Sequence, residues 1–402
     1  EQAIAAVFAD AASGSAQLLF QILASLQHGS LRVTTPDAQH LEFPGQTAGV
    51  NATLHLNDWG VCDDILRAGD IGFAESYLQG RWQSGDLAAL LTLCAQNRAV
   101  LERAIYGRWF SLLVYRLRHL LHSNTKSGSR KNIHAHYDLG NDFYQLWLDP
   151  GMTYSAALFE GDMTRTLEAA QCAKYERILN KLKVKSGEHI LEIGFGWGGF
   201  AEQAARSRGA RVTGITLSQN QMQFAQQRIA AAGLDSRIDF RICDYRDVSG
   251  QYDTIVSSEM IEAVGERYWP AYFKTIHDCL KPGGKAMIQA ITIADDLFAR
   301  YRKGSDFIQQ YVFPGGMLAS SGRFEEEARR AGLRVADRFA FGPDYAETLQ
   351  RWHQSFAQQE SQVRALGYDE RFLRLWKFYL CYCEAGFRSG CTDVYQFELQ
   401  RE

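Results

Sequence analysis

The segment Leu191-Glu192-Ile193-Gly194-Phe195-Gly196-Trp197-Gly198-Gly199 constrains this chain more than any other. An apolar run enters a cluster of glycines, and a helix-compatible segment follows. Glycine permits a tight turn and lets a ligand approach the backbone closely. Downstream, the pattern alternates regularly. Strands are expected at His189–Gly194, Arg211–Thr216, Ile238–Cys243, Thr254–Ser258 and Ala286–Ile291, with helices such as Gln219–Ala232 and Phe324–Ala331 between them. Such alternation implies an α/β fold with a mostly parallel sheet and helices on both faces.

Ligands of open α/β sheets bind beyond the carboxyl ends of the strands. Three strand ends here supply polar groups: the glycine turn, then Thr216-Leu217-Ser218 with Gln221, then Cys243-Asp244-Tyr245. Gly194, Gly196 and Gly199 nearly complete a dinucleotide fingerprint. However, the second strand closes on Gly214-Ile215-Thr216, with no acid for a ribose and no base for a phosphate. A smaller nucleoside cofactor, S-adenosylmethionine, is therefore the expected ligand, with a nicotinamide or flavin cofactor as the alternative. Asp244 is placed to accept a hydrogen bond from an adenine amino group.

A length of 402 residues exceeds one ordinary domain, and 46% hydrophobic with 22% charged residues excludes wholesale disorder. The expected division is an amino-terminal domain over 1–122, a linker over 123–132 (the polar SNTKSGSRKN lies here) and a catalytic domain over 133–402. The amino-terminal part mixes a helix, Ala16 to Leu26, with strand-like pieces at Leu31-Arg32-Val33 and Ala52 to Leu56. Helical pattern then runs through 62–100 with a break at Gly80 to Gly85. The net charge is only −3, yet residues 98–134 hold eight Lys/Arg against the single acid Glu102, interleaved with Trp109, Phe110 and Tyr115. That stretch is expected to meet an anionic membrane surface; nucleic acid is not an expected partner. The eight cysteines are scattered and read as reduced thiols, and no metal site is expected. No apolar stretch approaches the length of a bilayer span, and the first residues lack a basic signal-peptide start. The expected location is the cytoplasm, peripherally at the inner face of the membrane.

LEIGFGWGG, GITLSQNQMQFAQ, CDYRD, SSEMIEAVG, LKPGG and DFIQQYVFPGG together resemble the cyclopropane fatty acid synthases. The upstream HYDLGNDFYQLWLDPGMTYSAALFE, GDIGFAESYLQGRW and FYLCYCEAGFRSG fit the same family. The resemblance implies a Rossmann-like class I methyltransferase domain behind a mixed, mainly helical amino-terminal domain. It implies S-adenosylmethionine held by Tyr154, Ser155, Gly194, Gly196, Gly198, Thr216, Ser218, Gln221, Asp244 and Tyr245. It also implies a catalytic bicarbonate, a phospholipid substrate and a homodimer. Glu262 and Tyr345 stand in the family's catalytic positions. Three departures surround them: Ala156 replaces a cysteine, Gln289 a histidine and Ala263 another histidine.

An isolated alkene is a poor nucleophile, so positioning must supply much of the catalysis. Methyl transfer leaves a carbocation, which aromatic faces and a nearby carboxylate stabilise. Phe307, Tyr311 and Phe313 are the expected substrate walls. Glu262, Tyr345, Gln289 and Glu259 are the expected catalytic groups, with both acids on one face if a helix begins there. Proton loss from the new methyl closes a cyclopropane, the first expectation. Loss from a chain carbon gives a methyl-branched alkene, a serious alternative because the cysteine and histidine side chains are lost, with Ala156 the more telling departure, while Gln289 can still donate one hydrogen bond. Methylation of another lipid or small molecule, or lipid binding without catalysis, are further alternatives.

Overall fold

The computed structural model describes residues 14–105 and 139–402. The expected linker and most of the basic aromatic stretch lie outside these residues.

The amino-terminal layer is a four-stranded sheet in the order β2-β1-β3-β4. Its strands are β1 (His28–Thr34), β2 (His40–Pro44), β3 (Thr47–Leu56) and β4 (Trp82–Gln83). β1 pairs antiparallel with β2 and parallel with β3. Period-two alternation sends Leu31 and Val33 of β1, and Leu54 and Leu56 of β3, to the buried face. Helices Gly14–Leu23, Gly60–Leu78 and Leu87–Gln96 belong to this layer. Asp86 caps the last of them by accepting from the Ala89 backbone N–H at 2.9 Å. The break expected at Gly80 to Gly85 is the connection that carries β4. The helix Gly60–Leu78 is bent at Gly69, whose φ of 59° and ψ of −131° only glycine adopts readily.

The carboxyl-terminal sheet runs β11-β12-β9-β8-β5-β6-β7. Its members are β5 (His189–Ile193), β6 (Arg211–Thr216), β7 (Ile238–Ile242), β8 (Tyr252–Ser258), β9 (Leu280–Ile293), β11 (Leu333–Ala340) and β12 (Thr392–Arg401), with β10 (Ala319–Ser320) beside β9. The strands from β9 through β7 are parallel, as the sequence implies. β12 inserts antiparallel between β9 and β11. The whole is a mixed α/β, Rossmann-like fold. The carboxyl ends of β5, β6 and β7 lie side by side and deliver the glycine turn, Thr216 and Asp244 to one edge.

One continuous buried core joins the two layers, from Ala16 through Trp82 to Val394. At their junction Phe378 packs on Tyr77 and Trp82, with ring centroids 5.5 and 6.4 Å apart. Trp82 is fully buried, stacks on Phe73 at 4.1 Å and donates its indole N–H to the Phe73 carbonyl at 2.9 Å. Truncating such a ring costs about 3–5 kcal/mol. Polar ties reinforce the junction: Tyr311 donates to Glu75, and Tyr382 to Asp70 at 3.3 Å.

Candidate active site

The turn after β5 places its alternate glycines at positive φ, 81°, 55° and 84° at Gly194, Gly196 and Gly198. A Cβ on Gly196 would meet open space, whereas one on Gly198 would press on Ala225 and Phe240 at 3.2 Å. At the end of β6, Ser218 caps the helix Gln219–Ala231, accepting from the Gln221 N–H at 3.3 Å, and Thr216 Oγ1 donates to Gln221 Oε1 at 3.1 Å. After β7, the guanidinium of Arg246 holds Asp244 through Nε–Oδ1 at 2.8 Å and Nη2–Oδ2 at 2.6 Å. The hydroxyl of Tyr245 and Oε2 of Glu192 are buried without a hydrogen-bond partner. Open space at Gly196, beside the polar strand ends at Thr216 and Asp244, fits a nucleoside cofactor. Burial pushes the Glu192 carboxyl up and the fully buried Lys174 ammonium down, while each favours the other's charged form.

The expected catalytic residues meet around one side chain, Glu259. Its Oε1 accepts from the Ser155 hydroxyl at 2.8 Å, the Ala156 backbone N–H at 2.9 Å and Gln289 Nε2 at 2.7 Å. Its Oε2 accepts from the Tyr345 hydroxyl at 2.6 Å. Four donors on two oxygens is the pattern of an ionised carboxylate, which only accepts. Glu259 itself has φ of 53°, a left-handed conformation uncommon away from glycine. Its N–H donates to the Gln289 carbonyl at 2.8 Å, fixing the bend at the end of β8. A short 3-10 turn, Ile261–Ala263, follows. The two acids are therefore presented by a turn, and the helical face considered from their spacing is absent.

Glu262 differs from its neighbour. One oxygen accepts from the Ile291 N–H at 2.6 Å, and the other is buried without a partner. Burial and the adjacent Glu259 push its pKa up to about 8, against the lowering effect of the Ile291 bond. One carboxyl is thus held in a shell of donors and the other is kept neutral near pH 7, a division of roles typical of paired catalytic acids.

Three supporting residues, Lys174, Arg177 and Gln396, carried no local signal. Lys174, fully buried, donates to Ser155 Oγ at 3.0 Å. Gln289 also donates to Ser155 Oγ at 3.0 Å, and its own oxygen accepts from Gln396 at 3.0 Å. Arg177 in turn donates to Gln396 at 2.5 Å. Tyr154 shares a 2.5 Å hydrogen bond with Tyr379, and its ring lies 5.3 Å from Trp352.

Tyr154, Glu259, Glu262, Ala263, Ile291 and Tyr345 open on a cavity of about 780 Å³, within the range of small-molecule sites. Of the three expected substrate walls, Phe313 lines it. Phe307 and Tyr311 instead pack into the junction between layers. Phe307 is fully buried with its ring 4.7 Å from Phe378, and Tyr311 is tied to Glu75. Their aromatic character serves the core.

The family model for mycolic acid cyclopropane synthetase matches residues 124–397. The chain belongs to this family of S-adenosylmethionine-dependent lipid methyltransferases. Among its relatives is the tuberculostearic acid methyltransferase of Mycobacterium tuberculosis, 43% identical over 84% of this chain and 80% of that protein. The cyclopropane-fatty-acyl-phospholipid synthase of Escherichia coli K12 is 33% identical over 84% and 85%. A solved mycolic acid cyclopropane synthase, complexed with SAH and CTAB, aligns with a TM-score of 0.64 and 33% identity over 68% of this chain and 98% of its own. Methyltransferase activity and the cofactor expectation are thereby secured; both reactions, methylation and cyclopropanation, occur among the relatives. None of the described helices is long and apolar enough to cross a membrane.

Proposed function

We propose that this enzyme methylates the cis double bond of an unsaturated acyl chain and releases a methyl-branched alkene without closing a ring. The observation that carries this is the Glu259 carboxylate and its four donors. S-adenosylmethionine supplies an electrophilic methyl group on a sulfonium. The new carbon–carbon bond leaves a cation on the chain, and Glu259 stabilises that charge from the cavity wall. A C–H bond next to the cation then breaks: its electrons form the new alkene, and its proton passes to Glu259. Tyr345, Ser155 and Gln289 hold the carboxylate in place for this step, and the aromatic wall keeps water out.

A resident bicarbonate does not fit these residues. Ser155, the Ala156 N–H, Gln289 and Tyr345 are all spent on Glu259, and an added anion would face that carboxylate without them. A base tethered to the end of β8 replaces a small ion that could lie against the new methyl. Departure from the ring-closing family pattern at Ala156, Gln289 and Ala263 is consistent with this change, as is the 43% identical methyltransferase relative.

Ring closure is the second reading, supported by Glu262 and Tyr345 in the family's catalytic positions and by the Escherichia coli relative. Incubation with cofactor and unsaturated phospholipid vesicles tests both. Mass spectrometry should show a net CH₂ gain on the acyl chain. Proton NMR should then show olefinic and branch-methyl signals; high-field cyclopropane signals would favour the second reading. A phospholipid as the substrate form, a peripheral place on the membrane, a separate amino-terminal domain and a homodimer belong to the same proposal.

A further inference from the structure

The cavity that meets Glu259 does not end in the methyltransferase sheet. Its wall continues into the amino-terminal layer through Leu19 and Leu23, Leu31 of β1, Leu54 of β3, and Leu90 and Leu91. All six are buried, at 1–7% exposure, so this part of the cavity is closed to bulk solvent. The sheet explains their presence. Leu31 and Leu54 lie on the buried face of neighbouring strands, and the helix Leu87–Gln96, packed against that face, adds Leu90 and Leu91 to the same wall. The kink at Gly69 contributes as well: Gly69, Asp70 and Phe73 all reach the same cavity wall.

The charged lining residues, Asp70 of the kinked helix among them, come from segments other than those of the six leucines. Arg98 and Glu102 belong to the helix Arg98–Ile105, and Arg300 and Lys303 lie around the end of the helix Asp295–Tyr301. Arg300 and Lys303 are exposed, which marks this as the wet side. A carboxylate or phosphate pushed among the six leucines would lose its hydration and gain no partner. An alkyl end gains there by leaving water.

We propose that the amino-terminal layer is the receptacle for the methyl end of the acyl chain, and that its depth selects how many carbons lie beyond the reacting double bond. This rests on the acyl-methylation reading above. The layer thereby acts as a ruler built into the active site, in addition to any part it has at a membrane.

The test uses the full chain with vesicles of phospholipids carrying oleoyl, palmitoleoyl or cis-vaccenoyl groups. Palmitoleoyl and cis-vaccenoyl have two carbons fewer than oleoyl beyond the double bond. Palmitoleoyl and oleoyl share the length on the carboxyl side. Leu54→Trp shortens the receptacle, so turnover of oleoyl should fall relative to both other chains. The expected change is roughly fifteenfold, at about fourfold for each methylene denied its place. Leu54→Ala deepens it and should move the ratio the other way, which guards against a misfolded tryptophan variant. Cofactor affinity, measured by calorimetry, should hold in both. Unmoved ratios in both variants, or palmitoleoyl moving with oleoyl, would overturn the receptacle while leaving the reaction intact. A wild-type protein inactive on all three chains would overturn the acyl-methylation reading itself.

Discussion

The Tyr345 hydroxyl donates to Glu259 Oε2 at 2.6 Å, across 86 residues of sequence. Tyr345 lies in the first turn of the helix Gly342–Gln358, while Glu259 directly follows β8, so the bond couples the base to a different wall of the cavity. Burial and the facing Glu259 push the Tyr345 phenol well above its ordinary pKa, keeping it a donor at every working pH.

Glu259→Gln preserves shape, and the amide oxygen can still face Ser155, Ala156 and Gln289. It removes the base. Turnover should fall about 10²–10⁴-fold with cofactor affinity unchanged. Tyr345→Phe removes one bond to a charged acceptor, of about 1.5–3 kcal/mol, so its rate should fall roughly tenfold to a hundredfold. Single-turnover product formation by mass spectrometry, beside calorimetric cofactor binding, checks both. A Glu259→Gln enzyme within tenfold of wild type would remove Glu259 from the chemistry.

Glu262 sets a pH dependence of stability. Its pKa is about 8 folded against an ordinary value of 4.5. Between these values the unfolded chain releases this proton and the folded chain keeps it, so the contribution to stability falls as pH rises from about 4.5 to 8. Glu262→Gln cannot ionise and escapes that loss. Urea unfolding at pH 5 and pH 8 should show the variant gaining on wild type as pH rises. A constant difference would mean that Glu262 is already ionised in the folded protein.

Lys174 acts on Glu259 through Ser155. Because Lys174 and Gln289 both donate to Ser155 Oγ, the serine proton must point to Glu259. Lys174→Met and Ser155→Ala should each lower the rate by roughly tenfold, the worth of one charge-assisted bond of about 1.5 kcal/mol. The double variant should be little worse than either single one, because both break the same relay. Additive losses would show that the two residues act independently.

Local pattern made the parallel strands legible: Arg211–Thr216 is dominated by β-branched Val212, Thr213, Ile215 and Thr216, and β6 occupies that span. β12 was not legible, because its place between β9 and β11 is a long-range antiparallel pairing that no local window holds. The candidate site divides similarly. Glu259 and Glu262 were visible as acids in a motif. The left-handed turn at Glu259 and its donors from Ser155 and Ala156, over 100 residues away, arise only when the strands pack. Phe307 and Tyr311 were visible as aromatics, but their place in the junction was not, since an aromatic side chain reads alike whether it faces a cavity or a neighbouring helix. The amino-terminal leucines fell within segments read only as helix or strand pattern; their role as cavity wall depends on where the two layers meet.

The fate of the transferred methyl hydrogens tests the central claim most directly. With S-adenosylmethionine carrying a trideuteriomethyl group and an unlabelled oleoyl phospholipid, the proton taken by Glu259 comes from the chain. The product should therefore retain every methyl deuteron, as read by mass spectrometry of the released acyl group. A product lacking one deuteron would show that the proton leaves from the new methyl, as in ring closure, and would contradict the account.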